Sequence, residues 1–474
     1  MIVALRPYPA TKDSTAEWLG DVPEEWSTRR LRSLSRDPIK NGVGESAQPV
    51  REDWPRYIRI TDIGGPRSLR DKSRASLPPD VAAAAPLRSG DVLLAAVGAT
   101  FGKSYLHRDE STPACFAGYL VRVSPNKAII PEFLSYWTQS AYYWDQVNSQ
   151  VIQSTIQNFS AARFKGLRVP LPPLPEQAAI VRFLDHADRQ IRRYILGKQK
   201  LIKLLEEQKE VIVHRAVTRG VDPTVGLKAS GVEWLGDVPE HWEVVPTRAM
   251  FKHRREKARK DEEVLTASQS YGIVSRSEFM ARGGRRVMEV LTGYDILKHV
   301  EPDDFVMSMR SFEGGLEWSQ SRGAISSAYV MLVPNEDVHA PYFARLLKTR
   351  AYISALRRTS DLVRDGQALR YANFVQIPLP RVPIEEQRAI ASFLDKVLAE
   401  AVATVHRLQR EVSLLREYRT RLIADVVTGK LDVRDWAARL PDEIQEAEDI
   451  DRDDVIEGAD AEMDDDPEPE GVGA

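Results

Sequence analysis

With 474 residues, 43% of them hydrophobic and 28% charged, the chain has the make-up of a folded protein long enough for two or three domains. No apolar run approaches about 18 residues and the single cysteine is Cys115, which excludes a membrane-spanning helix, an intrachain disulfide and a cysteine-rich zinc site. The net charge of −3 hides a division: residues 441–474 hold nine Asp and seven Glu against one Arg, leaving 65 Lys plus Arg against 53 Asp plus Glu in residues 1–440, about +12. A basic body points to a polyanionic partner, and the acidic tail is expected to be disordered. Met1-Ile-Val-Ala-Leu-Arg-Pro7 lacks the order of a secretory signal, so a cytoplasmic protein is expected.

The N-terminal landmark Glu17-Trp-Leu-Gly-Asp-Val-Pro-Glu-Glu-Trp26 returns as Glu233-Trp-Leu-Gly-Asp-Val-Pro-Glu-His-Trp242, with nine of ten positions identical. A repeat this long is no solenoid and marks a duplicated domain. Trp18, Trp26, Trp234 and Trp242 are expected to be packing anchors. Tyr57–Ile63, Asp91–Val97 and Tyr119–Val123 then read as short strands between Gly, Pro and Asp turns, with Asp304–Met309 and Tyr329–Val333 in the same places of the second half. Pro131 and Pro341, 210 residues apart, each start a short helix.

Each half ends in a long helix. Val169-Pro-Leu-Pro-Pro leads into Leu174-Pro-Glu-Gln177, and Ile377-Pro-Leu-Pro leads towards Ile384-Glu-Glu-Gln387; proline cannot continue a helix but is tolerated in its first turn. Ile180, Leu184, Ala187, Ile191, Tyr194, Lys198, Leu201, Leu205, Gln208 and Ile212 step by fours and threes as a heptad seam, widened by Ile195 and Ile202. Leu394, Leu398, Ala401, Val405, Leu408, Val412, Leu415, Arg419 and Leu422 repeat the pattern. Two such stripes in one chain most simply bury each other. The predicted fold is α+β: two tandem globular domains separated by two long antiparallel coiled-coil helices. The expected boundaries are 1–175, 176–220, 221–380 and 381–432, followed by the tail, 433–474.

Catalytic signatures are missing. Val97-Gly98-Ala-Thr-Phe-Gly102-Lys103-Ser104 follows a strand as a phosphate-binding loop would, but three residues rather than four separate Gly98 from Gly102. There is no Asn-Pro-Pro-aromatic motif, no His-Glu-x-x-His and no Gly-x-Ser-x-Gly. The chain therefore reads as non-catalytic and without a metal site. What remains is basic and polar surface suited to phosphates and base edges. The candidate DNA contacts are Arg59, Lys103, Ser104, Gln157 and Asn158 in the first half, and Arg285, Arg310, Arg364, Gln367 and Arg370 in the second. A lone DNA-binding regulator and a coiled-coil scaffold for proteins are the other classes these features allow.

Taken together, the paired Trp elements, the Pro-Leu-Pro then Glu-Gln helix starts, and the ends Ala216-Val-Thr-Arg-Gly220 and Val426-Val-Thr-Gly-Lys430 resemble the specificity subunit of type I restriction-modification enzymes. The likeness covers about residues 11–435. It implies two target-recognition domains that each read half of a gapped, asymmetric double-stranded DNA target. It also implies helices that dock two methyltransferase subunits, with Glu176, Gln177, Phe183, Leu184, Glu386, Gln387, Phe393 and Leu394 as the carrying residues, and a motor-nuclease subunit that joins for host defence. S-adenosylmethionine, ATP and magnesium would then bind the partners, and no cofactor this chain. The acidic tail is outside the family pattern.

Overall fold

The computed structural model describes residues 5–16, 18–70, 73–98, 101–109, 111–150, 159–259, 261–268, 271–283, 296–308, 316–359 and 370–441. Its longest elements are two helices, Leu174–Arg219 of 46 residues and Ile384–Val427 of 44. Both start within three residues of the expected points, directly after the prolyl runs. The chain forms two compact units. Unit 1 comprises residues 1–199 and the described chain from 409; unit 2 comprises 200–408. The division thus runs through both long helices rather than at their ends.

Unit 1 is organised by a four-stranded antiparallel sheet in the order Lys40–Asn41, Leu120–Val123, Val92–Ala95, Ser104–Leu106. Val92-Leu-Leu-Ala95 is buried at every position because both faces of the sheet are covered. Val92, Leu94, Val121 and Val123 join the core that includes Trp26, Trp137 and the long helix, while Leu93, Ala95, Tyr105 and Leu120 join a second core with Phe116 and Ile58. The turn into Val92 needs Gly90 at φ +87°, a left-handed conformation that glycine takes without strain. The Gly90 N–H donates to the His107 carbonyl at 2.8 Å, and the carboxylate of buried Asp91 accepts the Arg88 N–H at 2.9 Å.

Unit 2, taken by itself, has the same sheet order: Phe251–Arg254, Tyr329–Pro334, Phe305–Ser308, Leu316–Trp318. Asp303 stands at φ +71° where unit 1 has Gly90, its N–H donates to the Ser319 carbonyl at 2.8 Å, and Asp304 accepts the Glu301 N–H at 2.9 Å. In each unit a two-stranded ladder ties the segment entering the long helix to the segment after the Trp element: Arg168–Leu171 with Ser27–Arg30, and Leu379–Arg381 with Glu243–Val245.

Several expectations change. The strand Tyr57–Ile63 is broken into Arg56–Ile58 and Ile63–Gly65 by a 3-10 turn, because Asp62 accepts the Arg59 N–H at 2.8 Å and closes the chain on itself. Trp26 and Trp242 are fully buried, as anchors should be, but Trp18 is 59% exposed with φ +73°. Its repeat partner Trp234 packs edge-on to Tyr352 at 5.2 Å. The second helix keeps its seam, with Leu394, Val405, Leu408, Val412 and Leu422 buried. The first does not: Ile191 and Ile195 are buried whereas Tyr194 and Leu201 face out. A straight helix of 3.6 residues per turn drifts about 20° per heptad against a strict seven-residue repeat, which moves the stripe onto Ile195.

The polar breaks in the seams are ion-paired within unit 1. Lys198 Nζ meets Glu411, and Arg419 Nε meets Asp188, whose other oxygen takes Arg192 at 2.8 Å. The partner number falls as the first rises, so the two helices run antiparallel there. The range 433–474, expected as tail, begins folded: Arg434–Arg439 is helical, Val433 and Ala437 are buried in the unit 1 core, and the Asp432 N–H donates to the Arg6 carbonyl at 2.8 Å. An apolar Val433, Trp436 and Ala437 set, overlooked against the acidic run behind it, explains the difference. The acidic residues from 442 on lie outside the described residues.

Candidate nucleic-acid interface

One end of the unit 1 sheet gathers segments that are far apart in the chain. The Val92–Ala95 strand runs into the Gly98–Lys103 loop, which turns at Gly98 (φ +81°) and Gly102 (φ +79°) and is closed by the Gly102 N–H donating to the Ala95 carbonyl at 2.7 Å. Beside it, the Ala96 N–H donates to the Tyr119 carbonyl at 2.9 Å, and the Phe159 N–H to the Ala96 carbonyl at 2.7 Å. The Gly-rich loop, the turn before Leu120 and the chain at Phe159 therefore meet at one rim.

The candidates themselves divide. Lys103 is exposed on this rim. Ser104 is not: it is buried and its Oγ lies 2.6 Å from Thr138 Oγ1. Arg59 commits its guanidinium to Asp62, Nε at 3.1 Å from one oxygen and Nη2 at 2.9 Å from the other, and these bonds raise its pKa. Gln157 and Asn158 lie outside the described residues. In unit 2, Arg285, Arg310, Arg364 and Gln367 also lie outside them. Arg370 is exposed, its N–H held by Asn373 Oδ1 at 3.0 Å at the start of a short helix.

The basic run after the Trp element of unit 2 divides by partner. Lys252 and Arg255 are exposed, while Arg254 turns to the buried carboxylate of Asp304 at 2.7 Å. His253 stacks on Tyr371 at 5.1 Å and 18°, and burial together with Arg255 and Lys298 lowers its pKa, the signature of a basic neighbourhood. Tyr119, 66% exposed on the unit 1 rim, is a residue the sequence reading passed over as the first position of a strand.

The residues at the helix starts have a different job from surface contact. Gln177 is fully buried; its Oε1 accepts the Ile130 N–H at 2.8 Å and its Nε2 donates to the carbonyls of Ala128 and Pro172 at 3.0 and 2.9 Å. Gln387 does the same in unit 2, accepting the His339 N–H at 2.7 Å and donating to Asp337 and Val382 at 2.7 and 2.8 Å. Glu176 accepts the Tyr8 hydroxyl at 2.5 Å, and Glu386 accepts Trp242 Nε1 at 3.0 Å and faces His241 Nε2 at 2.8 Å. Phe183, Leu184 and Leu394 are core, whereas Phe393 is 40% exposed. The repeated Glu-Gln pair thus locks each domain to the start of its own helix.

Residues 82–204, which span the Val92–Ala95 strand, the rim loop and the start of the first long helix, match the model of the family described as the type I restriction modification DNA specificity domain. The chain is 25% identical over 466 residues to the EcoKI type I restriction enzyme specificity subunit of Escherichia coli K12, covering 89% of this chain and 92% of that protein. It is 23% identical over 456 residues to a Methanocaldococcus jannaschii protein assigned as the MjaX type I specificity subunit, covering 92% of this chain and 100% of that protein. The chain is thus similar to type I specificity subunits along about nine-tenths of its length.

The fold is similar as well. A chain solved in work on the complex assembly and conformational transition of the type I R-M system superposes with a TM-score of 0.63 at 15% identity, over 86% of this chain and 99% of that one. Among the described residues no group of three or more His, Cys, Asp or Glu is placed to hold a metal, and no helix is long and apolar enough to cross a membrane.

Proposed function

We propose that this chain is a type I specificity subunit, a non-catalytic recognition protein that reads a gapped double-stranded DNA target through two duplicated target-recognition domains, one in each unit. Each reads one half-site, and the long helices set the gap. The observation that carries this reading is like scaffold beside unlike sequence: both units present the same antiparallel sheet order, the same buried Asp turn and the same Gln lock, while the stretches that follow the matching strands, Val97-Gly-Ala-Thr-Phe-Gly-Lys103 and Met309-Arg-Ser-Phe-Glu-Gly-Gly315, differ in sequence. A shared frame with different side chains at its reading end fits an asymmetric target with unlike halves.

On this reading the exposed cations Lys103 in unit 1 and Lys252, Arg255 and Arg370 in unit 2 neutralise phosphates, and base edges are read by other side chains of each domain. Two methyltransferase subunits and a motor-nuclease subunit dock on the chain in the cytoplasm and bring S-adenosylmethionine, ATP and magnesium with them. Of the helix-start residues, Phe393 is the one whose exposure suits such docking.

The test is to co-express the chain with the methylating subunit of its own locus and to map methylated adenines in host DNA. The expected result is one gapped motif with two unlike halves, one half changing when the rim loops of one unit are exchanged. Methylation that is unaltered in the absence of this chain would overturn the reading.

A further inference from the structure

Tyr119 stands out at the unit 1 rim. An exposed aromatic side chain is ordinary on a mobile loop, but the backbone around this one is fixed on both sides. The Gly118 N–H donates to the Val43 carbonyl at 2.6 Å, Asn41 Nδ2 donates to the Gly118 carbonyl at 2.8 Å, and the Leu120 N–H donates to the Ala117 carbonyl at 2.9 Å. The Tyr119 carbonyl accepts the Ala96 N–H. The crossing beneath it depends on glycine: a Cβ at Gly42 would lie 2.0 Å from the Phe116 carbonyl oxygen. A tightly held turn therefore presents a large ring that is 66% exposed to solvent. Lys103 is exposed at the same end of the sheet.

Unit 2 does not repeat this arrangement. By strand register Ala328 takes the place of Tyr119, since Tyr329 pairs with Ser308 as Leu120 pairs with Ala95; the Tyr329 ring is half-buried against the core of Leu265, Ile325 and Met331. The turn ahead of it is Ser326-Ser-Ala328. The outward aromatic belongs to unit 1 alone, as expected of a residue that reads rather than one that supports the shared scaffold.

We propose that Tyr119 is a specificity-determining contact that packs its ring face on a base or base step of the half-site read by unit 1. The proposal rests on the functional reading above and adds to it the residue and the mode of contact. Every base has a π-face, so a rigidly mounted ring gains stacking at little ordering cost, and an aromatic wedge selects for steps that unstack easily. The phenol hydroxyl plays no part in that contact.

The experiment uses the full chain assembled with its methylating subunit and duplexes carrying the mapped target, intact or with either half scrambled. Tyr119→Ala is expected to weaken binding of the intact target on the order of tenfold, and Tyr119→Phe by less than about twofold. The Tyr119→Ala penalty should vanish when one particular half is scrambled and persist when the other is. Equal binding by wild type and Tyr119→Ala, or a Tyr119→Phe loss as large as that of Tyr119→Ala, overturns the stacking role. Thermal melting of both variants at the wild-type temperature is the expected control, since the side chain buries little. Wild-type complex without salt-dependent affinity for the duplex overturns the functional reading itself, which keeps the two failures apart.

Discussion

Arg67 Nη1 lies 2.6 Å from Asp185 Oδ1, and the same oxygen accepts the Tyr136 hydroxyl at 2.6 Å while the guanidinium sits over the Tyr136 ring at 4.7 Å. One residue from a hairpin turn, one from a short helix and one from the long helix are joined at a single carboxylate. The side chains of Arg67 and Asp185 are 17% and 20% exposed, so little water competes for the pair. Removing one partner of such a pair strands the other, and Asp185→Ala is expected to cost unit 1 about 3 kcal/mol. Cys115 reports on this: it is fully buried and burial pushes its thiol up to about 12, so alkylation at neutral pH requires opening. Labelling should accelerate roughly a hundredfold in Asp185→Ala.

The repeat places Asp395 where unit 1 has Asp185, and in unit 2 it pairs with Arg345, but its side chain is 66% exposed. An exposed pair is worth less than about 1 kcal/mol, so Asp395→Ala should leave the urea midpoint of unit 2 nearly unchanged. Matched positions in the two halves thus carry different loads, and comparison of the two variants in one denaturation series checks it.

That contrast marks the limit of what the chain's letters disclose. The Pro-Leu-Pro then Glu-Gln starts were legible because proline and helix periodicity act locally, and the Val92–Ala95 and Tyr329–Pro334 strands because apolar runs between turns have few other fates. The job of Gln177 was not, because its three partners at 128, 130 and 172 come together only when the domain closes on the helix. Ser104 and Arg59 were misplaced for the same kind of reason: a polar residue beside a glycine-rich loop looks exposed until Thr138 and Asp62 are brought against it. Which of Tyr194 and Ile195 faces the partner helix depends on the drift of a straight helix, and a heptad count assumes that drift away.

The Gln locks give a symmetrical expectation. Gln177→Ala and Gln387→Ala each remove three hydrogen bonds and leave the buried amide of Ile130 or His339 without an acceptor. A cost of about 2–3 kcal/mol is expected for each. Gln→Glu should not restore either site, because a carboxylate still accepts the amide but faces two carbonyl oxygens. Equilibrium unfolding in urea of the four variants checks both statements.

His299 gives unit 2 a pH dependence. Burial opposes its charge, but Glu262 at 2.7 Å and Glu301 at 2.9 Å outweigh this and raise its pKa above the ordinary histidine value of 6.5. Arg322 and then His299 lower the pKa of Glu301 from 4.5. A raised His contributes stability that is complete below its unfolded pKa and is lost as pH climbs through the folded one. A lowered Glu contributes stability that is complete above its unfolded pKa and is lost as pH falls through the folded one. The contribution of the pair is therefore full between about pH 4.5 and 6.5 and declines above. Amide exchange at Val300, next in the strand, should quicken as pH rises from 6 to 8 by more than intrinsic exchange accounts for, and His299→Gln should abolish that excess.

The two arginines among the candidate DNA contacts that the structure describes should part company on substitution. Arg59 neutralises Asp62, whose side chain is 1% exposed, so Arg59→Ala leaves a buried carboxylate unpaired. It is expected to lower the melting temperature of unit 1, and any loss of DNA affinity should follow the loss of folded protein. Arg370 is exposed and its backbone, not its side chain, meets Asn373. Arg370→Ala should leave melting unchanged, weaken binding about equally for target and unrelated duplex, and flatten the dependence of log affinity on log salt by about one. Binding titrations at several salt concentrations, read beside thermal melting of the same preparations, separate the two. A salt slope unchanged by Arg370→Ala would remove that side chain from the DNA surface of unit 2.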